Sequence, residues 1–68
     1  MINSNINLVT YKKYNSDTQS FDNYHQVENI DLHTFMACLG NLELLMEVHW
    51  SIDFLNPDFT TATVYVKF

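Results

Sequence analysis

The sequence predicts an α+β domain: a small antiparallel sheet of about four strands, in chain order β-β-α-β-β, with one short amphipathic helix packed on one face. Three observations predict it. Residues 46–54 alternate strictly between apolar and polar side chains, residues 31–41 carry apolar groups at helical spacing, and residues 6–14 are β-branched and aromatic without helical spacing.

Residues 6–14 (INLVTYKKY) read as a first strand, closed by the turn-forming Asn15, Ser16 and Asp17. Its parity is mixed, because Ile6 and Leu8 favour one face while Val9 and Tyr11 favour the other. A bulge or a strand covered on both sides reconciles them. Residues 19–29 (QSFDNYHQVEN) read as a second strand that pairs back on the first. Phe21, Tyr24 and Val27 have the three-residue spacing of a helix, but the Ser, Asp, Asn and His between them are mediocre helix formers.

Residues 31–41 (DLHTFMACLGN) predict the helix: Leu32, Phe35, Met36 and Leu39 fall at i, i+3, i+4 and i+7. Asp31 or Asn29 serves as N-cap and Gly40 as the stop. So short a helix is unstable alone, so its apolar stripe must lie on a sheet.

Residues 42–54 and 59–68 form a hairpin around Asn56, Pro57 and Asp58, because Pro cannot sit in a central strand and Asn and Asp favour turns. Closing it with Leu55 opposite Phe59 sets Ile52 against Ala62, Trp50 against Val64, Val48 against Val66, and Met46 against Phe68. The other parity sets Glu47 against Lys67, His49 against Tyr65, Ser51 against Thr63, and Asp53 against Thr61. A slip of one residue moves Tyr65 and Lys67 onto the core face, so hydrophobic pattern and turn chemistry agree on one register. The helix stripe is expected to pack on Met46, Val48, Trp50, Ile52, Val64 and Val66.

With 68 residues and only one Gly and one Pro, the chain reads as a single domain, 1–68, without a linker. A chain this short buries only about 60% of the surface its unfolded form exposes, so its stability is marginal. Apolar residues are 47% and aromatics 15%, enough for a core and too many for a disordered segment. The lone Cys38 cannot form an internal disulfide, and flanked by apolar positions it is expected in or near the core. The sequence shows no signal-peptide pattern and no apolar run that would span a bilayer, so a cytoplasmic setting is expected.

Eight Asp and Glu stand against three Lys and no Arg, for a net charge of −5. Direct nucleic-acid binding is therefore not expected, since phosphate contacts lean on Lys and Arg clusters and only Lys12 and Lys13 are adjacent. Nucleotide binding is also not expected, because a phosphate loop needs more than one Gly. Glu47, His49 and Asp53 share a strand face, yet no Cys and His cluster completes a zinc set, so neither a metal nor a cofactor is expected. The same groups could exchange protons, but one thin sheet with one helix offers little enclosed space for catalysis. The chain is expected not to be an enzyme, a small metal-dependent activity being the remotest alternative.

What remains is recognition by the surface. Asp17, Asp22, Glu28, Glu43, Glu47, Asp53 and Asp58, interleaved with Tyr24, His49 and Tyr65, suit a protein partner with a basic patch. In size, acidity and lack of Arg the chain is similar in kind to the small inhibitors of phages and mobile elements, anti-CRISPR proteins and DNA mimics among them. That likeness is one of type and is carried by no motif. The expected function is non-enzymatic inhibition of a nucleic-acid-handling protein. The alternative is a subunit of a homo-oligomer such as a homodimer, joined through the last strand if Thr61, Thr63 and Tyr65 lie on an open edge.

Overall fold

The computed structural model describes residues 5–56 and 58–67. Five elements follow in the expected order: β1 (Asn5–Asn15), β2 (Ser20–Asp31), α1 (Leu32–Glu43), β3 (Glu47–Asn56) and β4 (Phe59–Lys67). The strands form one sheet in the order β2-β1-β4-β3, with the helix on one face.

The sheet is mixed, not wholly antiparallel. β1 pairs antiparallel with β2, and β3 with β4, but the central pair of β1 and β4 is parallel, from Leu8 opposite Thr61 to Lys13 opposite Val66. The helix imposes this direction. Its 12 residues at about 1.5 Å each return the chain by roughly 18 Å, so β3 starts from the end where β2 began and β4 runs with β1. The same placement overturns the idea of β4 as an open edge. Thr61, Thr63 and Tyr65 lie between two neighbours, and the edges are β2 and β3.

The hairpin register of β3 and β4 is the expected one: Glu47–Lys67, Val48–Val66, His49–Tyr65, Trp50–Val64, Ser51–Thr63, Ile52–Ala62 and Asp53–Thr61 all face each other. It changes only beside the turn. Phe59 lies opposite Asn56 instead of Leu55, and Leu55 becomes the extra residue of a bulge. Pro57 and Phe68, and with Phe68 its pairing to Met46, lie outside the described residues. β3 also starts later than expected, because residues 42–43 complete the helix and 44–46 turn the chain.

Asp31 caps α1 as anticipated, its Oδ2 accepting from the backbone N–H of His33 (2.9 Å) and Thr34 (3.3 Å). Gly40 does not stop the helix. The helix ends at Glu43, and the Leu42 carbonyl accepts from the N–H groups of both Leu45 and Met46 at 3.0 Å. Continuing past Gly40 lets Leu42 extend the inward stripe of Phe35 and Leu39, which are fully buried. Leu32 and Met36, expected on that stripe, flank it and are 38% and 42% exposed. Cys38 is exposed, a correction to its expected place in the core.

Below the helix the core is Ile6, Val9 and Tyr11 of β1 with Ala62, Val64 and Val66 of β4, each large apolar side chain contributing about 1.5–3 kcal/mol on burial. Val48, Ile52 and Met46 pack against it from the side, and Trp50 stays 39% exposed because β3 has a neighbour on one side only.

The mixed parity of β1 resolves in the same core. Ile6 and Val9 are both buried, three residues apart, and their partners Ile30 and Val27 on β2 both pack inward. Between those partners Asn29 takes φ 55°, and the ladder skips Asn7 and Asn29, so both strands change face together. Asn tolerates this left-handed conformation better than other residues with a Cβ. Asn7 uses its side chain instead, its Oδ1 accepting from the Thr60 N–H at 2.7 Å. A separate register shift lies between Tyr11 and Lys12, opposite Tyr24.

Two substitutions test these assignments by urea unfolding. Asn29→Val should destabilise by about 1–2 kcal/mol while Asn29→Gly costs little. Gly40→Ala should stabilise by up to about 1 kcal/mol, because a Cβ at Gly40 meets no atom within 4 Å and the glycine sits inside an α-helix.

Candidate functional site

Strand alternation sends β4 residues Ala62, Val64 and Val66 toward the helix and Thr61, Thr63, Tyr65 and Lys67 to the uncovered face. Their pairing partners share that face. One row across the sheet therefore runs Asn23, Lys12, Tyr65 and His49, and the next holds Phe21, Tyr14, Lys67 and Glu47. Farther along, Gln26 donates to Thr10 Oγ1 at 3.3 Å, in line with Thr63 and Ser51.

Aromatic rings gather at one end of this face. Tyr14 and Phe21 meet edge to face at 5.3 Å between centroids, Phe21 and Tyr65 at 4.9 Å, and the Lys67 ammonium lies 4.8 Å from the Tyr14 centroid. Reading the sequence alone named Tyr65 and missed Tyr14 and Phe21. The signal was the pairing of the first two strands, which a count back from the 16–19 loop supplies: Asn15 faces Ser20 and Tyr14 faces Phe21.

Glu47 and His49 are brought together directly. His49 Nε2 lies 2.9 Å from Glu47 Oε1, both side chains being largely exposed. This hydrogen bond lowers the Glu47 pKa below the ordinary carboxylate range, with Lys67 and the His49 charge adding to the effect and desolvation opposing it. Glu47 does face Lys67 across the hairpin as expected, but its hydrogen-bonded neighbour is on its own strand. Asp53 lies on the same face of β3, three alternations farther on.

The remaining candidates are dispersed. Asp17 is in the loop at residues 16–19, where its N–H donates to Asn15 Oδ1 at 3.0 Å, and Asp22 accepts from Asn15 Nδ2 at 3.1 Å. Tyr24 stands at the β2 register shift, 6.3 Å from the Tyr11 ring. With Lys13, Tyr14, Asn15, Ser16 and Asp22 it lines an open depression of about 410 Å³. Glu28 is on the outer strand β2, Glu43 at the end of α1, and Asp58 in the turn between β3 and β4. Since β1 and β4 run parallel, Asp17 and Asp58 mark opposite ends of a molecule 44 Å long. All eight carboxylate residues are exposed, but they surround the molecule instead of forming one patch.

Buried at the helix face, the Tyr11 phenol has its pKa raised, first by desolvation and then by Cys38 and Tyr24. Among the described residues no group of three His, Cys, Asp or Glu is placed to hold a metal ion, and no helix is long and apolar enough to cross a membrane. No protein-family model, curated protein or solved structure matches the chain.

His49→Ala should return the Glu47 pKa upward toward its ordinary value, measured by NMR titration of the side-chain carboxyl. Because the folded-state pKa is lowered, the contribution of Glu47 to stability is present above the ordinary carboxylate range and is lost as pH falls through the lowered value. The variant should flatten that acid-side dependence, and the solvent exposure of Glu47 keeps the effect small.

Proposed function

We propose that this protein works by binding another protein, without catalysis, and that it occupies a basic surface that would otherwise hold nucleic acid. The observation that carries the reading is the charge: a net −5 with every Asp and Glu side chain exposed, against three lysines. Such a surface attracts basic patches over the distance of a Debye length, about 10 Å at 0.1 M salt, and raises association rates with them.

On this reading Glu47, His49, Asp53 and Tyr65 make the contact on the uncovered face, with Glu28 at its far edge. Asp17, Asp22, Tyr24, Glu43 and Asp58 supply long-range attraction from the ends and the helix side. The protein would then be an intracellular inhibitor of the phage or mobile-element type, in the manner of a DNA mimic or an anti-CRISPR protein, acting in the cytoplasm where its target meets nucleic acid.

Affinity capture from a host lysate tests the proposal. The expected result is retention of a basic nucleic-acid-binding protein at low salt, its release at high salt, and its displacement by heparin. Glu47→Lys with Asp53→Lys should weaken retention at least tenfold, which is about 1.4 kcal/mol. Retention indifferent to salt and to both substitutions would overturn it.

A further inference from the structure

The two edges of the sheet differ in a way that bears on association. The outer strand β2 is broken twice, by the register shift at Tyr24 and by the left-handed Asn29. Irregularities of this kind deny an incoming strand a regular ladder. β3 holds one register against β4 from Glu47 to Phe54, so its outward N–H and C=O groups form a regular row. Its sequence, EVHWSIDFLN, contains none of the Lys, Pro or Gly residues that often blunt an edge. It also leaves Phe54 77% and Leu55 65% exposed, beside the partly exposed Trp50.

We propose that β3 pairs antiparallel with β3 of a second copy of this chain about a two-fold axis at Ser51, joining two four-stranded sheets into one of eight. Charge and shape choose this register. A two-fold pairing must keep like faces together, so only registers centred on a residue are available. Centring on Trp50 sets Glu47 against the partner's Asp53, twice, which is repulsive. Centring on Ile52 leaves Asp53 against the partner's Ser51 and carries the ladder through the bulge at Leu55, setting Val48 against the partner's Asn56. Centring on Ser51 keeps the pairing within the regular run, with His49 against the partner's Asp53 at both ends, Trp50 against Ile52, and Val48 against Phe54, and leaves only Glu47 opposite the bulged Leu55. The uncovered face then sets an imidazole beside a carboxylate at both ends, and the helix face holds a continuous apolar row that covers Phe54 and Trp50.

The pairing also answers a weakness of the monomer. A 68-residue chain gains from any surface that adds to its core, and strand addition supplies backbone hydrogen bonds together with apolar burial. The proposal rests on backbone regularity and pairing pattern, and it stands independently of the net charge.

Sedimentation velocity and light scattering on the full chain test it. The expected result is a dimer whose fraction rises with concentration, with a blue shift of the fluorescence of Trp50, the single tryptophan. Phe54→Lys, at an exposed position, should weaken association at least tenfold while leaving the circular dichroism of the monomer unchanged. His49→Asp should weaken it similarly, and His49→Asp with Asp53→Lys should restore it. In a Cys38→Ser background, Ser51→Cys should cross-link the dimer on oxidation, since opposed residues at a two-fold lie near disulfide distance. A monomer at every concentration up to about 1 mM overturns the proposal. So does a dimer indifferent to Phe54→Lys, or cross-linking at Ile52→Cys but not at Ser51→Cys.

Discussion

The parallel pairing of β1 with β4 is the constraint on which the rest of this structure depends. These two strands, drawn from opposite ends of the described chain, supply six of the eight buried core residues, and Phe35 and Leu39 of the helix supply the other two. Neither hairpin has a core of its own. The hairpin of β1 and β2 offers Ile6, Val9 and Tyr11, the hairpin of β3 and β4 offers Ala62, Val64 and Val66, and each set is dry only when the other lies beside it and the helix lies above. Long-range pairing of this kind must close most of the chain before it returns any burial, which makes folding of so small a domain an all-or-none event.

Placing the most apolar strands at the centre leaves the polar ones outside, and that division shapes the surface. β2 is nearly all exposed and carries two backbone irregularities, while β3 is regular from Glu47 to Phe54 and half apolar. On the uncovered face the same rows that align Val64 and Val66 below also align Tyr14, Phe21, Tyr65 and Lys67 above, because each strand has only two sides. The Glu47 and His49 pair belongs to this face, at its β3 margin.

Much of this was legible because the governing interactions are local. The β3 and β4 register follows from alternation plus a turn, two cues a few residues apart, and all seven pairs from Glu47–Lys67 to Asp53–Thr61 agree with it. The Asp31 cap and the inward Phe35 and Leu39 are likewise set within a turn or two of helix. What escaped depends on distant partners. Gly40 carries the stop signal of a C-cap, but Leu42 gains contact with the core by continuing the helix, and packing outweighs a propensity worth about 1 kcal/mol. The apparent disorder of parity in β1 has meaning only beside β2, where Asn29 reverses the face in step. Cys38 looks internal by its neighbours, but α1 turns the stripe of Phe35, Leu39 and Leu42 inward and leaves the cysteine outside.

By itself the sequence determined the α+β class, the element order, the antiparallel hairpins, the parity of the last two strands and the acidity of the surface. Each of these follows from residues near one another in the chain or from their sum. Only the tertiary structure decided that the central strands run parallel, that β3 instead of β4 is an edge, and that the carboxylates encircle the molecule. Strand order and direction depend on where a helix of some 18 Å delivers the chain, and on which apolar faces find each other across more than 50 residues, quantities that no local pattern encodes.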